Sequence, residues 1–141
     1  MHGGANMARG EMKPQQDIVR SSAHSGLPLS PYVKAGDTIY VSGTVGRDPD
    51  SGVIEKDNLG AQTHMALRIV EVLLRQASAC LADVIKVTIY LTDMDGFTDV
   101  NRAYRTVFGA DLPARTCVAV SSLPDPEAQV EIDVVAYRRS A

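Results

Sequence analysis

A chain of 141 residues with 45% hydrophobic and 22% charged residues has the composition of one globular domain that is long enough to bury a core. Its net charge of -3, without a long Lys/Arg run, argues against a nucleic-acid backbone as the main partner. No apolar run approaches the roughly 20 residues of a membrane span, no secretory signal is visible, and two cysteines make no disulfide framework, so we expect a cytoplasmic protein with reduced thiols.

The chain opens on a small, polar, glycine-rich stretch without apolar periodicity. We interpret residues 1–16 as a flexible leader and residues 17–141 as a single domain. "DIVRSS" is a short candidate strand, and "TIYVSGTVG" is a second one that ends in a turn with Asp, Pro and Gly. The segment between them, "HSGLPLSPYVKAGDT", is interpreted as a loop because it contains two prolines and two glycines.

A helical period then begins at Asn58 and continues to about Ala79. Asn58 is a suitable N-cap for this helix. The positions that recur at helical spacing are Gln62, Ala66, Ile69, Leu73 and Ala77.

A strand and a second helix follow. "DVIKVTIYLTD" alternates apolar and polar residues, which places Ile85, Val87, Ile89 and Leu91 on one buried face. The second helix opens near Asp95 and is expected to stop at Gly109. Its shared face carries Phe97, Val100, Asn101, Tyr104 and Phe108.

The closing stretch "PARTCVAVSSLPDPEAQVEIDVVAY" is typical of two strands joined by a turn. The whole order predicts an α+β fold, a mixed β-sheet with two helices packed on one face. Because two helices cover only one face, we expect a neighbouring subunit to cover the other and the protein to be an oligomer.

Polar residues interrupt both closing strands. Alternation places Arg115 and Cys117 on one face of the first strand, and we expect Glu131 and Asp133 opposite them on its partner. One interpretation is a solvated sheet face with a cross-strand ion pair. The other is a pocket, closed by a second subunit, in which Arg115 holds a planar carboxylate through two parallel hydrogen bonds.

Several motifs together resemble the Rid family of reactive-intermediate deaminases, the RidA/YjgF/YER057c-type proteins. The matching segments are "SPYVKAGDTIYVSGTVG", "VIKVTIYLTDMDGFTDVNRAY", "VFGADLPAR" and "PARTCVAVSSLP...VEIDVVAYRR". The resemblance implies a chorismate-mutase-like fold, a homotrimer, and sites between subunits. It also implies hydrolysis of 2-imino acids and their enamine tautomers, such as 2-aminoacrylate, to 2-oxo acids and ammonia, without a metal or organic cofactor.

The resemblance also implies roles for individual residues. Arg115 matches the arginine that holds the substrate carboxylate, Cys117 the pocket cysteine, and Glu131 the glutamate that holds the attacking water. The further pocket positions are Tyr32, Ser42, Gly43 and Asn101. Two departures, "SPY" for the usual "GPY" and Thr44 for the common glutamine, leave the substrate side chain open.

Other chemistries have weaker support. No histidine is evidently paired with Cys117, so we expect this cysteine to line the pocket without acting as a nucleophile. The acidic clusters and the scattered histidines lack calcium or zinc spacing, so no metal site is expected. Alternative functions are a pathway-specific enamine deaminase and a non-catalytic, regulatory protein that binds small carboxylates. An acidic pI of about 5.5 makes a ribonuclease less attractive.

Overall fold

A computed structural model describes residues 17–22 and 26–139 of the chain. The leader that we assign to residues 1–16 and the residue His24 lie outside the described residues. No helix in the described ranges is long and apolar enough to cross a membrane. Within these ranges both cysteines are free thiols.

Six strands and two α-helices make up the regular structure of the described residues. The strands are β1 (Ile18–Arg20), β2 (Tyr32–Ala35), β3 (Thr38–Val45), β4 (Val84–Leu91), β5 (Ala114–Ala119) and β6 (Val130–Tyr137). The helices are α1 (Leu59–Gln76) and α2 (Phe97–Phe108), and short 3-10 turns at Leu81–Asp83 and Met94–Gly96 precede β4 and α2.

All six strands form one mixed sheet in the order β1-β2-β3-β6-β4-β5. The pair β4 and β5 is parallel and the other neighbouring pairs are antiparallel. The predicted hairpin of the last two strands is therefore wrong, because β6 lies between β3 and β4 while β5 pairs with β4 at the sheet edge. Helix α2 makes the crossover that a parallel pair needs, and the long loop after β5 carries the chain to the middle of the sheet.

The segment interpreted as a loop contains β2, which is a further correction. Residues 32–35 pair with β3 through a tight turn at Gly36, whose φ of 58° favours glycine. Prolines at 28 and 31 suppressed the strand signal, although both precede the paired residues.

Helix α1 begins as predicted, since the Asn58 side-chain oxygen accepts a hydrogen bond of 3.0 Å from the Ala61 N–H. Its buried stripe is rotated slightly from the expected one. The fully buried positions include Leu67, Val70 and Leu74, whereas Leu73 is only half-buried. Helix α2 ends as predicted at Gly109, which has a φ of 65° and donates its N–H to the Arg105 carbonyl.

Both helices pack on one face of the sheet, as predicted, and the core lies between them and β3, β6 and β4. One expected core residue, Ile85, is instead 52% exposed. The pairing of β4 with β6 shifts between Val84 and Lys86, and this irregularity moves Val84 rather than Ile85 to the buried face.

The side chain of Gln62 forms hydrogen bonds that connect α1 to the start of β6. This buried side chain donates to the Glu55 carbonyl at 2.9 Å and to Gln129 Oε1 at 3.1 Å, and it accepts from the Gln129 N–H at 2.9 Å. The end of β3 approaches the same helix turn so closely that a Cβ at Gly46 would overlap the Gln62 backbone. These contacts set the position of β6 two residues before Glu131.

Candidate active site

Arg115 of β5 is held in one orientation by helix α2. Its Nη2 donates a hydrogen bond of 2.7 Å to Asn101 Oδ1, and its Cζ lies 4.8 Å from the ring centroid of Tyr104 and 5.5 Å from that of Phe97. The three α2 residues are spaced i, i+4 and i+7, so they share one helix face. The cation–π contacts and the hydrogen bond to the Asn101 amide oxygen together fix the plane of the guanidinium.

The charge of Arg115 has no carboxylate partner among the described residues. By contrast Arg47 makes a two-point ion pair with Asp125, at 2.9 and 3.0 Å. Burial raises the pKa of the Tyr104 hydroxyl, with the nearby Arg115 charge acting against this shift. A fixed, half-buried guanidinium that is not neutralised by the protein is suited to an anionic ligand.

A cleft of about 190 Å³ opens beside Arg115. It lies between α2 and the loop that leads into β5, and its lining residues are Asn101, Tyr104, Arg105, Leu112, Pro113 and Arg115. At about 30 Å³ per water molecule, the cleft has room for about six waters, which is the scale of a small organic acid.

Cys117 shares the face of Arg115, two residues further along β5, and packs partly against the core. Burial raises the pKa of its thiol, and the Arg115 charge lowers it to a smaller extent. The thiol is therefore predominantly protonated at neutral pH, which is unfavourable for a nucleophile.

Glu131 lies on β6, apart from Arg115 and Cys117. It is half-buried, and none of the described residues donates a side-chain hydrogen bond to its carboxylate. Burial raises its pKa, and the charge of Asp133 raises it further. Asp133 itself accepts a hydrogen bond of 3.0 Å from the Tyr90 hydroxyl. A carboxylate of raised pKa is a stronger proton acceptor than an ordinary glutamate.

Of the other predicted pocket residues, Gly43 lies against Glu131. A Cβ at Gly43 would be 2.8 Å from Glu131 Oε2, so a glycine allows this approach. The Ser42 hydroxyl donates to the Ser30 carbonyl at 2.6 Å, and Ser42 and Gly43 both line a groove of about 640 Å³ between β3 and α1. Tyr32, on the neighbouring strand, is 8% exposed, belongs to the core and is opposite the buried Val41, so it lies on the sheet face away from Glu131.

The structure corrects the prediction that Arg115 and Glu131 share a face. In the strand registers, Arg115 is opposite Val87 and Val87 is opposite Val134, all on the helix-covered face. Glu131 is opposite Tyr90, on the other face. Opposed residues in neighbouring strands share a face, so the arginine and the glutamate point to opposite sides of the sheet. The predicted cross-strand ion pair is also absent from the described residues, since β4 separates β5 from β6.

Six of the seven predicted site residues thus form two groups within one chain. The first group, on the helix-covered face, is Arg115, Asn101 and Cys117. The second group, around the β3 bulge and β6, is Ser42, Gly43 and Glu131. Tyr32 belongs to neither group, because it lies in the core. Among the described residues, no cluster of three or more His, Cys, Asp or Glu side chains is arranged to hold a metal ion.

Sequence reasoning assigned no role in the site to three side chains that act on Arg115 or Glu131. Phe97 and Tyr104 stack on Arg115, and Asp133 acts on Glu131. The first two were recognisable in principle, because they share with Asn101 the same face of α2. The effect of Asp133 follows from its i+2 spacing after Glu131, which places both carboxylates on one side of β6.

Comparisons with known proteins agree with this architecture. A family model described as Endoribonuclease L-PSP matches residues 20–138. The mouse 2-iminobutanoate/2-iminopropanoate deaminase is 38% identical over 111 residues, which cover 79% of this chain and 82% of the mouse protein. A crystal structure from Mycobacterium tuberculosis, of a YjgF/YER057c/UK114 family member, is 34% identical with a TM-score of 0.76 and covers 86% of this chain and 99% of that one.

The crystal structure of Escherichia coli TdcF with bound serine is also similar. It is 29% identical with a TM-score of 0.77, over 88% of this chain and 99% of TdcF. The family match extends over almost all described residues and includes both polar groups. The chain therefore belongs to the Rid family, the YjgF/YER057c/UK114 proteins.

Proposed function

We propose that this protein hydrolyses 2-imino acids and their enamine tautomers to 2-oxo acids and ammonia. The observation that carries the proposal is the Arg115 guanidinium, which α2 orients over a small cleft and which no described carboxylate neutralises. A planar carboxylate can accept two parallel hydrogen bonds from such a fork. The 38% identity to a deaminase that acts on 2-imino acids supports the same assignment.

The reaction also needs a proton acceptor, and Glu131 is our candidate. Since Glu131 lies on the opposite sheet face from Arg115 in the same chain, we infer that each site joins Arg115 of one subunit to Glu131 of the partner subunit. We further infer a homotrimer, as the family resemblance implies. The face that carries Glu131 supports this assembly, because it exposes Tyr40, Val118 and Tyr137, which a neighbouring subunit would cover.

The chemistry requires only water as a second reactant. Arg115 holds the carboxylate so that the adjacent imine carbon faces the water. Glu131 takes one proton as the water oxygen bonds to the carbon of the protonated imine, and the C=N double bond becomes a single bond in a carbinolamine. Glu131 returns this proton to the nitrogen, and ammonia then leaves as the C–N bond breaks, the hydroxyl gives its proton to Glu131 and the C=O bond forms. Cys117 lines the site in this scheme.

A non-catalytic role in binding small carboxylates is the second candidate. It is favoured by the first polar group alone, because Arg115 and its cleft need no partner subunit to hold an anion. TdcF was crystallised with serine, which also carries a carboxylate. Ribonuclease activity, which the description of the family model names, is disfavoured by the net charge of -3 and by a cleft too small for a nucleotide.

The proposal is tested by imine hydrolysis with the full chain and with Arg115→Ala. An amino-acid oxidase generates imines, and semicarbazide traps those that survive. The wild type is expected to suppress trapping. The variant should hydrolyse imines roughly 10²–10³-fold more slowly while it stays folded at the same oligomeric mass. A folded wild type that leaves trapping unchanged, yet binds 2-oxo acids, would establish the binding role instead.

A further inference from the structure

The cleft beside Arg115 contains a second guanidinium that the proposed function does not use. Arg105 of α2 lines the same cleft and is exposed. Among residues 17–22 and 26–139, no acidic side chain lines this cleft. Two cations therefore face a small cavity without a compensating negative charge in its wall.

Neither of these arginines is neutralised within the described residues. Arg115 donates its side-chain hydrogen bond to an amide oxygen, and Arg105 forms no ion pair. On the same helix, Arg102 pairs with Asp99 at 3.3 Å, although it is similarly exposed. The cationic character of the cleft thus differs from that of the adjoining helix surface.

Both cations line one cleft of a size that suits a short diacid. Arg105 follows Asn101 by four residues, and Asn101 is the residue that holds Arg115. One helical turn, about 5.4 Å along the axis, therefore separates Arg105 from the residue that fixes the first guanidinium. A four- or five-carbon dicarboxylic acid suits a cavity of about 190 Å³, and its two carboxylates complement the two guanidinium groups of the wall.

We propose that the site prefers substrates with a second carboxylate, the four- and five-carbon 2-imino dicarboxylates and their 2-oxo products. Arg115 holds the carboxylate next to the reacting carbon, and Arg105 binds the carboxylate at the far end of the side chain. This inference rests on the proposed function for the position of the first carboxylate. It assigns the substrate side chain, which the departures at "SPY" and Thr44 leave open.

The test compares two ligands that differ only in the distal group, 2-oxoglutarate and 2-oxopentanoate, by calorimetric titration of the full chain. The wild type is expected to bind 2-oxoglutarate about fivefold more tightly, since an exposed charge-assisted contact has a modest effect. Arg105→Gln should abolish this preference and leave the affinity for 2-oxopentanoate unchanged. The matched control Arg102→Gln, also on α2 but outside the cleft, should retain the preference.

Equal wild-type affinities for the two ligands, or a preference that survives in Arg105→Gln, would overturn the inference. Added salt provides an independent measurement with the wild type alone, because it should reduce the advantage of 2-oxoglutarate. An advantage that is insensitive to salt would also contradict the inference.

Hydrolysis of the imines of glutamate and norvaline separates this inference from the deaminase proposal. Hydrolysis without a dicarboxylate preference overturns only the role of Arg105. A binding preference without hydrolysis of either imine overturns the deaminase proposal and leaves the diacid site intact. No binding of either 2-oxo acid, together with no hydrolysis of either imine, overturns both.

Discussion

The two polar groups of the sheet differ in the surroundings of their charged side chains. Arg115 is covered by α2, where an amide oxygen and two aromatic rings hold its guanidinium. Glu131 lies on the uncovered face beside a second carboxylate, and both its burial and Asp133 raise its pKa. The arginine is thus oriented by side chains of the same chain, whereas the glutamate has a raised pKa and receives no side-chain hydrogen bond from the described residues.

Under the proposed function, this difference predicts that carboxylate binding and proton transfer respond to different substitutions. The orientation of Arg115 depends on contacts within one chain, so carboxylate binding should respond to changes in α2. The reactivity of Glu131 depends on its electrostatic surroundings, so turnover should respond to charge on the open face. Three experiments separate these contributions.

The largest effect is expected from Glu131→Gln, which keeps the shape of the side chain and removes the proton acceptor. Turnover of imines should fall by roughly 10²–10⁴-fold, the usual contribution of a general base. The affinity for 2-oxo acids should change little, because Arg115 is untouched. Rapid kinetics and calorimetry on the same preparation measure the two quantities. Unchanged turnover would remove Glu131 from the chemistry.

An intermediate effect is expected when Arg115→Ala and Glu131→Gln chains are mixed. If each site takes its arginine and its glutamate from different subunits, random mixing in a ring restores both groups in about a quarter of the sites. Activity should therefore reappear from two nearly inactive parents after they are unfolded and refolded together.

Two controls accompany this mixing experiment. Each parent refolded alone should remain inactive, and the double variant Arg115→Ala, Glu131→Gln refolded with an equal amount of wild type should leave about a quarter of the sites active, below the half expected from dilution alone. Mixed oligomers, verified by mass, that show no recovery would place both groups in one subunit's site and contradict the shared arrangement.

The smallest effect is a shift of the pH profile in Asp133→Asn. Glu131 must be ionised to accept a proton, so activity is lost as the pH falls through its raised pKa. Asp133→Asn removes a neighbouring negative charge and lowers that pKa, so the acid limb should move to lower pH. Tyr90→Phe is the control, because it removes the hydrogen bond to Asp133 and keeps the charge. An acid limb that stays in place, or moves to higher pH, would contradict the electrostatic role.

Local signals predicted much of the fold. The Asn58 cap, the Gly109 stop and the alternation from Val87 to Leu91 each depend on neighbouring residues, and each is confirmed. Strand pairing was not predictable in this way. The turn after β5 is typical of a hairpin, but the pairing is decided by α2, which carries β5 to the edge beside β4, and by the place left between β3 and β4 for β6.

For the site as well, local features were predicted correctly and the pairing of strands was not. Alternation correctly separated the two faces of β5 and of β6 individually, so Arg115 and Cys117 share a side, as do Glu131 and Asp133. Which side of one strand matches which side of another depends on the strand between them, here β4. That relation is set by tertiary packing and has no local signal.

The position of β6 also bears on how the protein is made. β3 and β4 do not pair with each other, and each pairs with β6, which is the last strand in chain order. During synthesis β3 and β4 therefore keep unpaired edges until β6 has left the ribosome. The nascent chain is most vulnerable to wrong pairing in that interval, and closure of the sheet is a late, long-range event.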